Sequence, residues 1–517
     1  MRTMILALAI GMNALSAVGL EHDVAMGIRI TATAPVAPVI RGQLVNAFLR
    51  VAVYMEAGVP PTRLQSFVVE LDAATRKEAD SLFLFANGTE SLFDGRSPLL
   101  KGHPEGFSGR IQLPEGVILK PGYQYFWLGV KLKGTAVPDG YLEMHVREAG
   151  TDRGQRLLVQ EQGIGFRKRK AVAVRRAWDD GVHTYRIPGI AITDRKTLVA
   201  VYDNRYKHSG DLPANVDVGM SRSLDGGHTW EPMKIIMDMG EPHDQNGVGD
   251  PAIVFDPLSR KLYMVALWSK GNRSIAGSGP GLTPDETGQL VIAESSDDGQ
   301  TWSKPVSITP QVKDPAWKLF FQGPGNGIVM KNGTLVFAAQ YWDAAHMPHA
   351  TIIYSTDRGK TWKRGLSAPK SNTTEAQVAE TEEGTLMLSM RDNRGKFRSV
   401  SVTKDMGTTW VEHPTSYQAL EDPVCMAGFM KAAVEAGKIR KEYLFFSNPA
   451  SSFSRVDMSI RASGDGGNTW PHRLLIDERT TFGYSVMVPI DERTIGLLYE
   501  GIRDLYFVRI PVNEIIR

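Results

Sequence analysis

The sequence is poor in cysteine, in net charge and in long apolar runs. Cys425 is the only cysteine among 517 residues, which excludes an intramolecular disulfide and a cysteine-based metal site. We expect Cys425 to be a small buried hydrophobic residue rather than a nucleophile. The formal net charge is only +2, so nothing in the composition predicts binding to nucleic acid.

Motifs for metal or phosphate binding are also missing. The chain has no HExxH pair and no glycine-rich phosphate loop with its lysine. His243 in EPHDQNG has no obvious ligand partner in the sequence, so we predict neither a catalytic metal nor a cofactor. The acidic turns leave a structural Ca²⁺ open.

Apolar runs long enough to cross a membrane are lacking as well. Residues 1–20 begin with one Arg, continue through a short apolar stretch interrupted by Asn13, and end near the small residues of ALSA. This pattern predicts a signal peptide, with a buried N-terminal helix as the alternative. Export without disulfides is typical of a bacterial protein, so we expect a periplasmic or extracellular location.

Long helical patterns are scarce, and residues 24–165 show short strand patterns separated by Gly, Pro and Asp turns. This pattern predicts an accessory β-sandwich, and its binding of carbohydrate is left open. The basic run RKRKAVAVRR at residues 167–176 is expected to be a solvated linker or a strand edge. Core packing is expected, rather than a sugar-stacking face, for the aromatic cluster Tyr123, Tyr125, Phe126 and Trp127.

What the chain has in abundance is one short turn. Near-copies of SLDGGHTW recur after apolar strands, at irregular intervals typical of β-propeller blades. The Asp at the third position can accept hydrogen bonds from backbone N–H groups, and the Gly two residues later can adopt a positive φ. We expect the final Trp to pack into its own blade, which makes these Asp residues structural. The copies begin at Ser223, Ser295, Ser355, Thr403 and Ser463.

The five copies match the Asp-box pattern S-x-D-x-G-x-T-W. Together with YRIP at Tyr185 to Pro188, they resemble the bacterial sialidases, the exo-α-sialidases or neuraminidases. The resemblance covers residues 170–517 and implies an all-β chain, with a six-bladed β-propeller catalytic domain after the β-sandwich at 24–165. The implied partners are sialylated glycans, glycoproteins or glycolipids. Asp boxes also occur in propellers without this activity, so the function depends on the site residues.

Sialic acid carries a carboxylate on its anomeric carbon, and a permanent anion suits the planar, always charged fork of arginine. The resemblance assigns carboxylate binding to Arg186 in YRIPGI, Arg391 in LMLSMRDNRG and Arg455 in SSFSRVDMS. Arg394 is a weaker rival of Arg391 because it lies in the turn-like DNRG.

The same carboxylate disfavours an anionic nucleophile, and sialidases are glycosidases that use a neutral tyrosine instead. The family match is Tyr484 in TFGYSVMV. A phenol with a pKa near 10 needs a base beside it. Glu375 in TEAQVAE matches this base, and Glu380 is its rival.

The acid/base that protonates the leaving oxygen is expected on a loop after the first arginine. Asp211 matches that position, ahead of the first Asp box, and Asp203 and Asp217 are the rivals. The Gly-rich segment at 269–288 is expected to overhang the site and to help select the leaving group.

Supporting roles are implied for four more residues. Glu500 in IGLLYEG matches the acid that braces Arg186. Arg205 and Asp250 match substrate contacts on the glycerol or N-acetyl side, and Gln322 is a candidate at the rim.

These residues together predict a retaining exo-sialidase. A trans-sialidase or intramolecular trans-sialidase would use the same catalytic residues, and a non-catalytic sialic-acid-binding propeller is a further alternative. A binding protein would not need Tyr484, Glu375 and Asp211 together. Linkage preference, natural substrate and oligomeric state are left open.

Overall fold

The computed structural model describes residues 27–437 and 439–517, and strands account for most of the ordered elements. The predicted signal peptide lies outside the described residues. The domain boundaries predicted from the sequence stay a prediction, since the contacts group the chain differently. One compact unit holds the described residues up to Ala34, Ala47–Val130 and Glu143–Phe166, and a second holds Pro35–Asn46, Lys131–Leu142 and Arg167–Arg517.

The first unit is built from short antiparallel strands with two small helices. The elements before Arg167 are, in chain order, β1 (Ile28–Thr33), β2 (Val39–Arg41), β3 (Asn46–Met55), β4 (Arg63–Leu71), α1 (Ala73–Glu78), β5 (Ala79–Gly88), β6 (Leu100–Gly102), α2 (Pro104–Phe107), β7 (Gly109–Ile118), β8 (Gly122–Leu132), β9 (Tyr141–Thr151), β10 (Arg156–Leu158) and β11 (Gln160–Gln162).

The predicted β-sandwich is confirmed in this unit. One sheet has the strand order β11-β1-β3-β8-β5-β6, and β10, β9, β4 and β7 pair in the second. Their apolar faces meet in a shared core, as sandwich sheets do. Phe67 of β4 packs edge-on against Phe126 of β8, with ring centroids 5.4 Å apart.

The aromatic cluster of β8 divides between core and surface. Phe126 and Trp127 are buried, as expected, whereas Tyr123 is 54% exposed. Tyr125 is half-buried and stacks on Tyr123. Core packing therefore holds for Phe126 and Trp127 but not for Tyr123.

The second unit contains the Asp boxes. Its elements from Arg167 onward are β12 (Arg167–Arg175), β13 (Thr184–Ile192), β14 (Leu198–Arg205), β15 (Val216–Ser223), β16 (Lys234–Met237), β17 (Val248–Asp256), β18 (Lys261–Trp268), β19 (Gln289–Ser295), β20 (Val306–Ser307), α3 (Thr309–Val312), β21 (Leu319–Gln322), β22 (Gly325–Asn326), β23 (Ile328–Val329), β24 (Leu335–Trp342), β25 (Pro348–Ser355), β26 (Lys363–Arg364), β27 (Thr373–Glu382), β28 (Thr385–Asp392), β29 (Lys396–Phe397), β30 (Ser399–Thr403), β31 (Val411–Glu412), β32 (Glu421–Asp422), β33 (Gly428–Ala436), β34 (Ile439–Pro449), β35 (Met458–Ser463), β36 (His472–Asp477), β37 (Ser485–Asp491), β38 (Thr494–Glu500), β39 (Leu505–Pro511) and α4 (Val512–Ile515), with 3₁₀ turns at Asp179–Gly181 and His243–Gln245.

Consecutive strands of this unit form a series of small antiparallel sheets. Five of them have the strand orders β13-β14-β15-β16, β17-β18-β19-β20, β21-β24-β25-β26, β27-β28-β30-β31 and β33-β34-β35-β36, and the last group, β37-β38-β39-β12, is part of a longer sheet. Neighbouring sheets contact one another in order through β13 and β17, β17 and β21, β24 and β27, β27 and β33, and β33 and β37, and β37 also contacts β13. This closed series confirms the predicted all-β propeller, and the sheet order is compatible with six blades.

The basic run forms β12, which corrects the expectation of a solvated linker or strand edge. This strand lies between β39 and β2 and joins the start of the unit to its last sheet. Lys168 and Lys170 are buried. The charge count of the run hid this strand, because four consecutive basic residues precede its apolar residues, and the partners of Lys168 and Arg169, the Pro35 carbonyl and Glu514, are distant in sequence.

The Asp-box turns have the hydrogen bonding expected from their sequence. In the box at Ser355, Asp357 Oδ1 accepts the Thr361 N–H at 2.9 Å, and Asp357 Oδ2 accepts the Thr361 hydroxyl at 2.6 Å. Gly359 has a φ of +78° and donates its N–H to the Ser355 hydroxyl. These bonds hold the pKa of Asp357 at about 2, so the turn keeps an ionised acceptor at neutral pH.

The Asp-box tryptophans pack between sheets as well as within their own. Trp230 meets Phe507 of the last sheet edge-on, with ring centroids 5.2 Å apart. Trp302 joins a cluster that includes Val199 of the first sheet and Val291 of the second. The expectation of packing within one blade was therefore too narrow, since the repeated turn also joins neighbouring blades.

Across the parts of the chain that are described, no helix has the length and apolar character needed to traverse a bilayer.

Replacing the serine of one Asp box tests the role of this turn. The buried Ser355 hydroxyl accepts from Gly359 and donates to Asp357, each at 2.8 Å. Ser355→Ala is expected to lower the free energy of unfolding by about 1–2 kcal/mol, because both groups lose this partner. Urea unfolding followed by tryptophan fluorescence measures the change. The exposed neighbour substitution Thr356→Ala is the control, and equal midpoints for the two variants would contradict a locking role.

Candidate active site

A cavity of about 310 Å³ in the second unit collects residues from distant parts of the chain. Strand ends and loops of several sheets contribute to its wall, which explains how motifs far apart in sequence meet. The predicted residues that line it are Arg186, Asp211, Asp250, Glu375, Arg391, Arg455 and Tyr484.

Arg186 is held from behind by a buried carboxylate. Glu500, at the end of β38, accepts from Arg186 Nε at 3.0 Å and from Nη2 at 3.2 Å. The same carboxylate accepts the backbone N–H of Ile187 at 2.8 Å and of Tyr484 at 3.0 Å. Glu500 therefore braces Arg186, as the sequence predicted, and also ties it to the backbone of Tyr484.

Tyr484, Glu375 and Arg391 form a compact hydrogen-bonded cluster. The Tyr484 hydroxyl donates to Glu375 Oε1 at 2.5 Å. Arg391 Nη1 donates to Glu375 Oε2 at 2.5 Å and to Tyr484 Oη at 3.1 Å. Each carboxylate oxygen of Glu375 thus has its own donor, and the phenol lies between a carboxylate and a guanidinium.

The protonation states of this cluster follow from its surroundings. Burial raises the pKa of Tyr484, the negative Glu375 raises it further, and Arg391 and Arg186 only partly oppose this. Burial would raise the pKa of Glu375, but the Arg391 charge and the hydrogen bonds from Tyr484 and Arg391 outweigh it, so that pKa is lowered. The resting site therefore contains a neutral phenol beside an ionised carboxylate.

Arg455 completes the set of guanidinium groups. Its Nη1 donates to the Phe482 carbonyl at 2.8 Å and its Nη2 to the Val424 carbonyl at 3.0 Å. Its Cζ lies 5.7 Å from the centre of the Tyr484 ring, and that of Arg186 lies 4.9 Å away. The three predicted arginines therefore surround one phenol and create a site for an anion.

Asp211 lies on the loop between β14 and β15, with its side chain 76% exposed. Its Oδ1 is 2.6 Å from Arg205 Nη1 and 3.8 Å from Arg186 Nη1. Partial burial would raise the pKa of Asp211, but these two arginines lower it. An exposed carboxylate at the cavity mouth has the freedom to approach a bound molecule.

Arg205 and Asp203 lie behind this loop rather than in the cavity wall. Both side chains are 2% exposed, and Asp203 Oδ2 accepts from Arg205 Nη2 at 2.9 Å. Burial raises the pKa of Asp203 to about 6 although Arg205 pairs with it. The predicted substrate contact by Arg205 is therefore not seen in this geometry, because its fork is spent on two aspartates, Asp203 and Asp211, and on the Ser209 carbonyl.

Asp250 lines the cavity, as predicted, in a left-handed conformation with φ +57°. Its N–H donates to Asp203 Oδ1 at 2.8 Å. Burial, together with the nearby carboxylates of Asp203 and Asp211, raises the pKa of Asp250. Gln322 is fully buried and donates to the Asp250 carbonyl, so its predicted place at the rim was wrong.

Two rivals of the assigned residues point elsewhere. Glu380 accepts the backbone N–H groups of Lys331 and Gly384, away from the cavity. Arg394 pairs with Asp392 and the Ser371 carbonyl. The choices of Glu375 and Arg391 over these neighbours agree with the geometry.

Asp217, which was a rival of Asp211 for the role of the acid, lies in a different cluster. Its carboxylate, that of Asp238 and a ring nitrogen of His243 lie within 4.8 Å of one another. Burial and the Asp238 charge raise the pKa of Asp217 to about 6. The expectation that His243 has no ligand-type neighbours was wrong, because the fold brings Asp217 of β15 to His243 and to Asp238, which directly follows β16.

Other wall residues carried no motif in the sequence. Ser274 and Ile275 of the Gly-rich segment line the cavity, in agreement with its predicted overhang. An apolar wall is formed by Leu212, Leu267, Phe321 and Trp342, and polar groups come from Gln340, Thr374 and Asn393. Isolated apolar residues at strand ends look like core residues, so only their placement in the fold identifies them.

Comparison with known proteins agrees with this geometry. A family model described as a BNR repeat-like domain matches residues 196–496. A sialidase of Bacteroides fragilis is 45% identical over 409 residues, which cover 77% of this chain and 75% of that protein.

Solved structures give the same result. A Hadza microbial sialidase superposes with a TM-score of 0.82 and 39% identity, covering 94% of this chain and 100% of that one. A Trypanosoma rangeli sialidase in complex with 2,3-difluorosialic acid, described as a covalent intermediate, superposes with a TM-score of 0.53 and 26% identity over 65% of this chain and 56% of that one. Repeats, cavity and relatives agree, and the chain belongs to the bacterial exo-α-sialidases, a family of glycoside hydrolases.

Proposed function

We propose that this enzyme is a retaining exo-sialidase that releases terminal α-linked sialic acid from sialylated glycans through a covalent bond to Tyr484. The observation that carries the proposal is the 2.5 Å hydrogen bond from the Tyr484 hydroxyl to Glu375 Oε1, inside a ring of three arginines. With the predicted signal peptide, the substrates are glycans outside the cytoplasm.

The substrate carboxylate binds among Arg186, Arg391 and Arg455. Guanidinium forks offer paired donors to a carboxylate, and a partly buried cavity strengthens this attraction. Binding in this way brings the anomeric carbon, which carries the carboxylate, close to the Tyr484 hydroxyl. A cavity of about 310 Å³ that contains these arginines is compatible with binding of a terminal sugar.

Tyr484 then attacks the anomeric carbon while its proton moves to Glu375. The bond to the leaving glycosidic oxygen breaks, and Asp211 donates a proton to that oxygen. In the second half, Asp211 takes a proton from a water molecule that attacks the same carbon, and Glu375 returns its proton to Tyr484. Two displacements at one carbon retain its configuration.

Substrate binding itself prepares Asp211 for the acid role. In the unliganded site, Arg205 and Arg186 lower the pKa of Asp211, which disfavours the protonated form. A substrate carboxylate on Arg186 offsets part of that positive charge and adds a negative charge nearby. The pKa of Asp211 therefore rises when substrate is present, and the proton becomes available for the leaving group.

The apolar wall fits the N-acyl methyl group of sialic acid. Phe321 and Trp342 stack with ring centroids 5.5 Å apart, and Leu212 and Leu267 pack in the same cluster. Asp250 also lines the cavity, and burial together with the nearby carboxylates of Asp203 and Asp211 raises its pKa. The wall and the carboxylate-binding arginines together orient the sugar ring. The covalent difluorosialic acid complex named for the trypanosomal relative supports the same chemistry here.

Removing the Tyr484 hydroxyl tests whether this residue is the nucleophile. Tyr484→Phe is expected to lower kcat/KM on a fluorogenic sialoside by about 10³-fold or more, because no other neutral nucleophile replaces the phenol. The matched control is Tyr263→Phe, which removes a buried tyrosine hydroxyl bonded to the Arg358 carbonyl. Its kcat/KM should stay within about threefold of wild type. Wild-type turnover by Tyr484→Phe would contradict the proposal.

Substrates with different leaving groups test whether Asp211 is the general acid. Asp211→Asn is expected to slow hydrolysis of sialyllactose by about 10²–10⁴-fold, because a sugar alkoxide needs a proton to depart. A 4-nitrophenyl sialoside has a leaving group that needs no proton. When the first displacement limits the rate, Asp211→Asn should therefore slow hydrolysis of this substrate by less than about tenfold. Asp244→Asn, on a neighbouring loop and paired with Lys207, is the control. Equal losses on both substrates would argue against Asp211 as the acid.

A further inference from the structure

Glu375 occupies an irregular position in its strand. Along β27 and β28, Thr374 pairs with Arg391 and Ala376 pairs with Met390, so Glu375 is the extra residue of a β-bulge. A bulge redirects a side chain and removes its backbone groups from the regular ladder. At Glu375 the N–H donates to Gln340 Oε1 at 3.1 Å instead.

The carbonyl of Glu375 is bound by a buried arginine that the sequence analysis did not identify. Arg398 is 0% exposed, and its Nη2 donates to the Glu375 carbonyl at 3.3 Å and to the Ser389 carbonyl at 2.9 Å. Ser389 lies two residues before Arg391 on β28. Arg398 therefore joins the bulge to the neighbouring strand directly beneath the Glu375–Arg391 pair.

The same guanidinium reaches the segment that supports Arg455. Arg398 Nη1 donates to the Cys425 carbonyl at 2.6 Å, and Arg455 Nη2 donates to the adjacent Val424 carbonyl at 3.0 Å. Val424 has a φ of +58°, a conformation that is costly for a β-branched residue. The surrounding contacts must hold this segment in place for its carbonyl to face Arg455.

Asp422 pairs with Arg398 and also binds the backbone of Cys425. It is buried, lies 3.4 Å from Arg398 Nη1, and accepts the Cys425 N–H at 2.8 Å. The N–H and the carbonyl of Cys425 are thus bound by the two members of one ion pair. Neither Arg398 nor Asp422 lines the cavity.

We propose that the buried Arg398–Asp422 pair is a positioning element that sets the direction of Glu375 through its bulge and of Arg455 through the Val424–Cys425 segment. A buried ion pair is a poor source of stability, because desolvation offsets most of the attraction. The pair instead forms hydrogen bonds with the backbone of two segments. One is the bulge that carries Glu375, and the other is the Val424–Cys425 segment that supports Arg455. The proposal rests on the proposed function of Glu375 and Arg455.

The test compares Arg398→Gln, Arg398→Lys and a matched control. Arg398→Gln is expected to lower kcat/KM by about 100-fold, because a base displaced by about 1 Å loses that much rate. KM is expected to rise as well, since Arg455 loses its support. The control is Arg222→Gln, which breaks the pair between a buried arginine and the half-buried Glu231 and should stay within about threefold of wild type.

The pH profile separates positioning from general destabilisation. Arg398→Gln removes a cation near Glu375, so the acidic limb of kcat/KM should move to higher pH. Arg398→Lys keeps the charge and should restore that limb, but it should recover the rate only in part, because an ammonium cannot reach three carbonyls in the same geometry. The titratable and charged groups that surround Glu375 are Arg391, Tyr484, Arg455, Arg398 and Asp250.

Two results would overturn the proposal. One is an Arg398→Gln enzyme with wild-type kcat/KM and pH profile, and the other is an equal loss in Arg222→Gln. If Arg398→Gln does not fold, Asp422→Asn decides the matter, because it keeps an oxygen for the Cys425 N–H and removes the charge. The same loss in rate supports positioning, and wild-type rates contradict it. Failure of the proposed function would be distinct, since Tyr484→Phe would then remain active.

Discussion

The hydrogen bond from the Tyr484 hydroxyl to Glu375 holds a neutral phenol, the nucleophile that we propose, against an ionised carboxylate, and the rest of the site is arranged around it. An anionic substrate needs cations, and three guanidinium groups close to one phenol would repel each other without compensation. Glu500 supplies that compensation from behind the cavity wall, and Glu375 supplies it from within the wall. The two carboxylates also fix direction, because each binds an arginine and an atom of Tyr484.

The propeller makes this arrangement possible because different parts of it stabilise the fold and form the cavity. The Asp-box turns and their tryptophans hold the sheets together, and their aspartates bond within their own turns. The strand ends and loops near the cavity are then free to carry irregular backbone. The bulge at Glu375 and the positive φ of Asp250 and Val424 are examples of such irregularity at a functional site.

Much of the fold and the central residues followed from sequence, for a physical reason. A repeated turn needs particular residues at particular positions, so Asp, Gly and Trp recur visibly, and the chemistry of an anionic sugar restricts the choice of partners to Arg and Tyr. The three arginines predicted from the sequence do line the cavity, but the sequence did not reveal where two other arginines lie. Arg205 and Arg398 are both buried, and their roles depend on contacts with Asp203 and Asp422 that only the folded chain creates. Strand β12 was hidden in the same way, because its pairing partners lie at the other end of the unit.

The most direct test of a covalent tyrosine mechanism is peptide mass spectrometry of the enzyme inactivated with 2,3-difluorosialic acid. A fluorinated sugar slows the second displacement and allows the intermediate to accumulate. We predict that the added mass of one fluorinated sialosyl group lies on Tyr484. Attachment to Glu375 or Asp211, or turnover of sialosides by an enzyme that never carries this group, would contradict the mechanism.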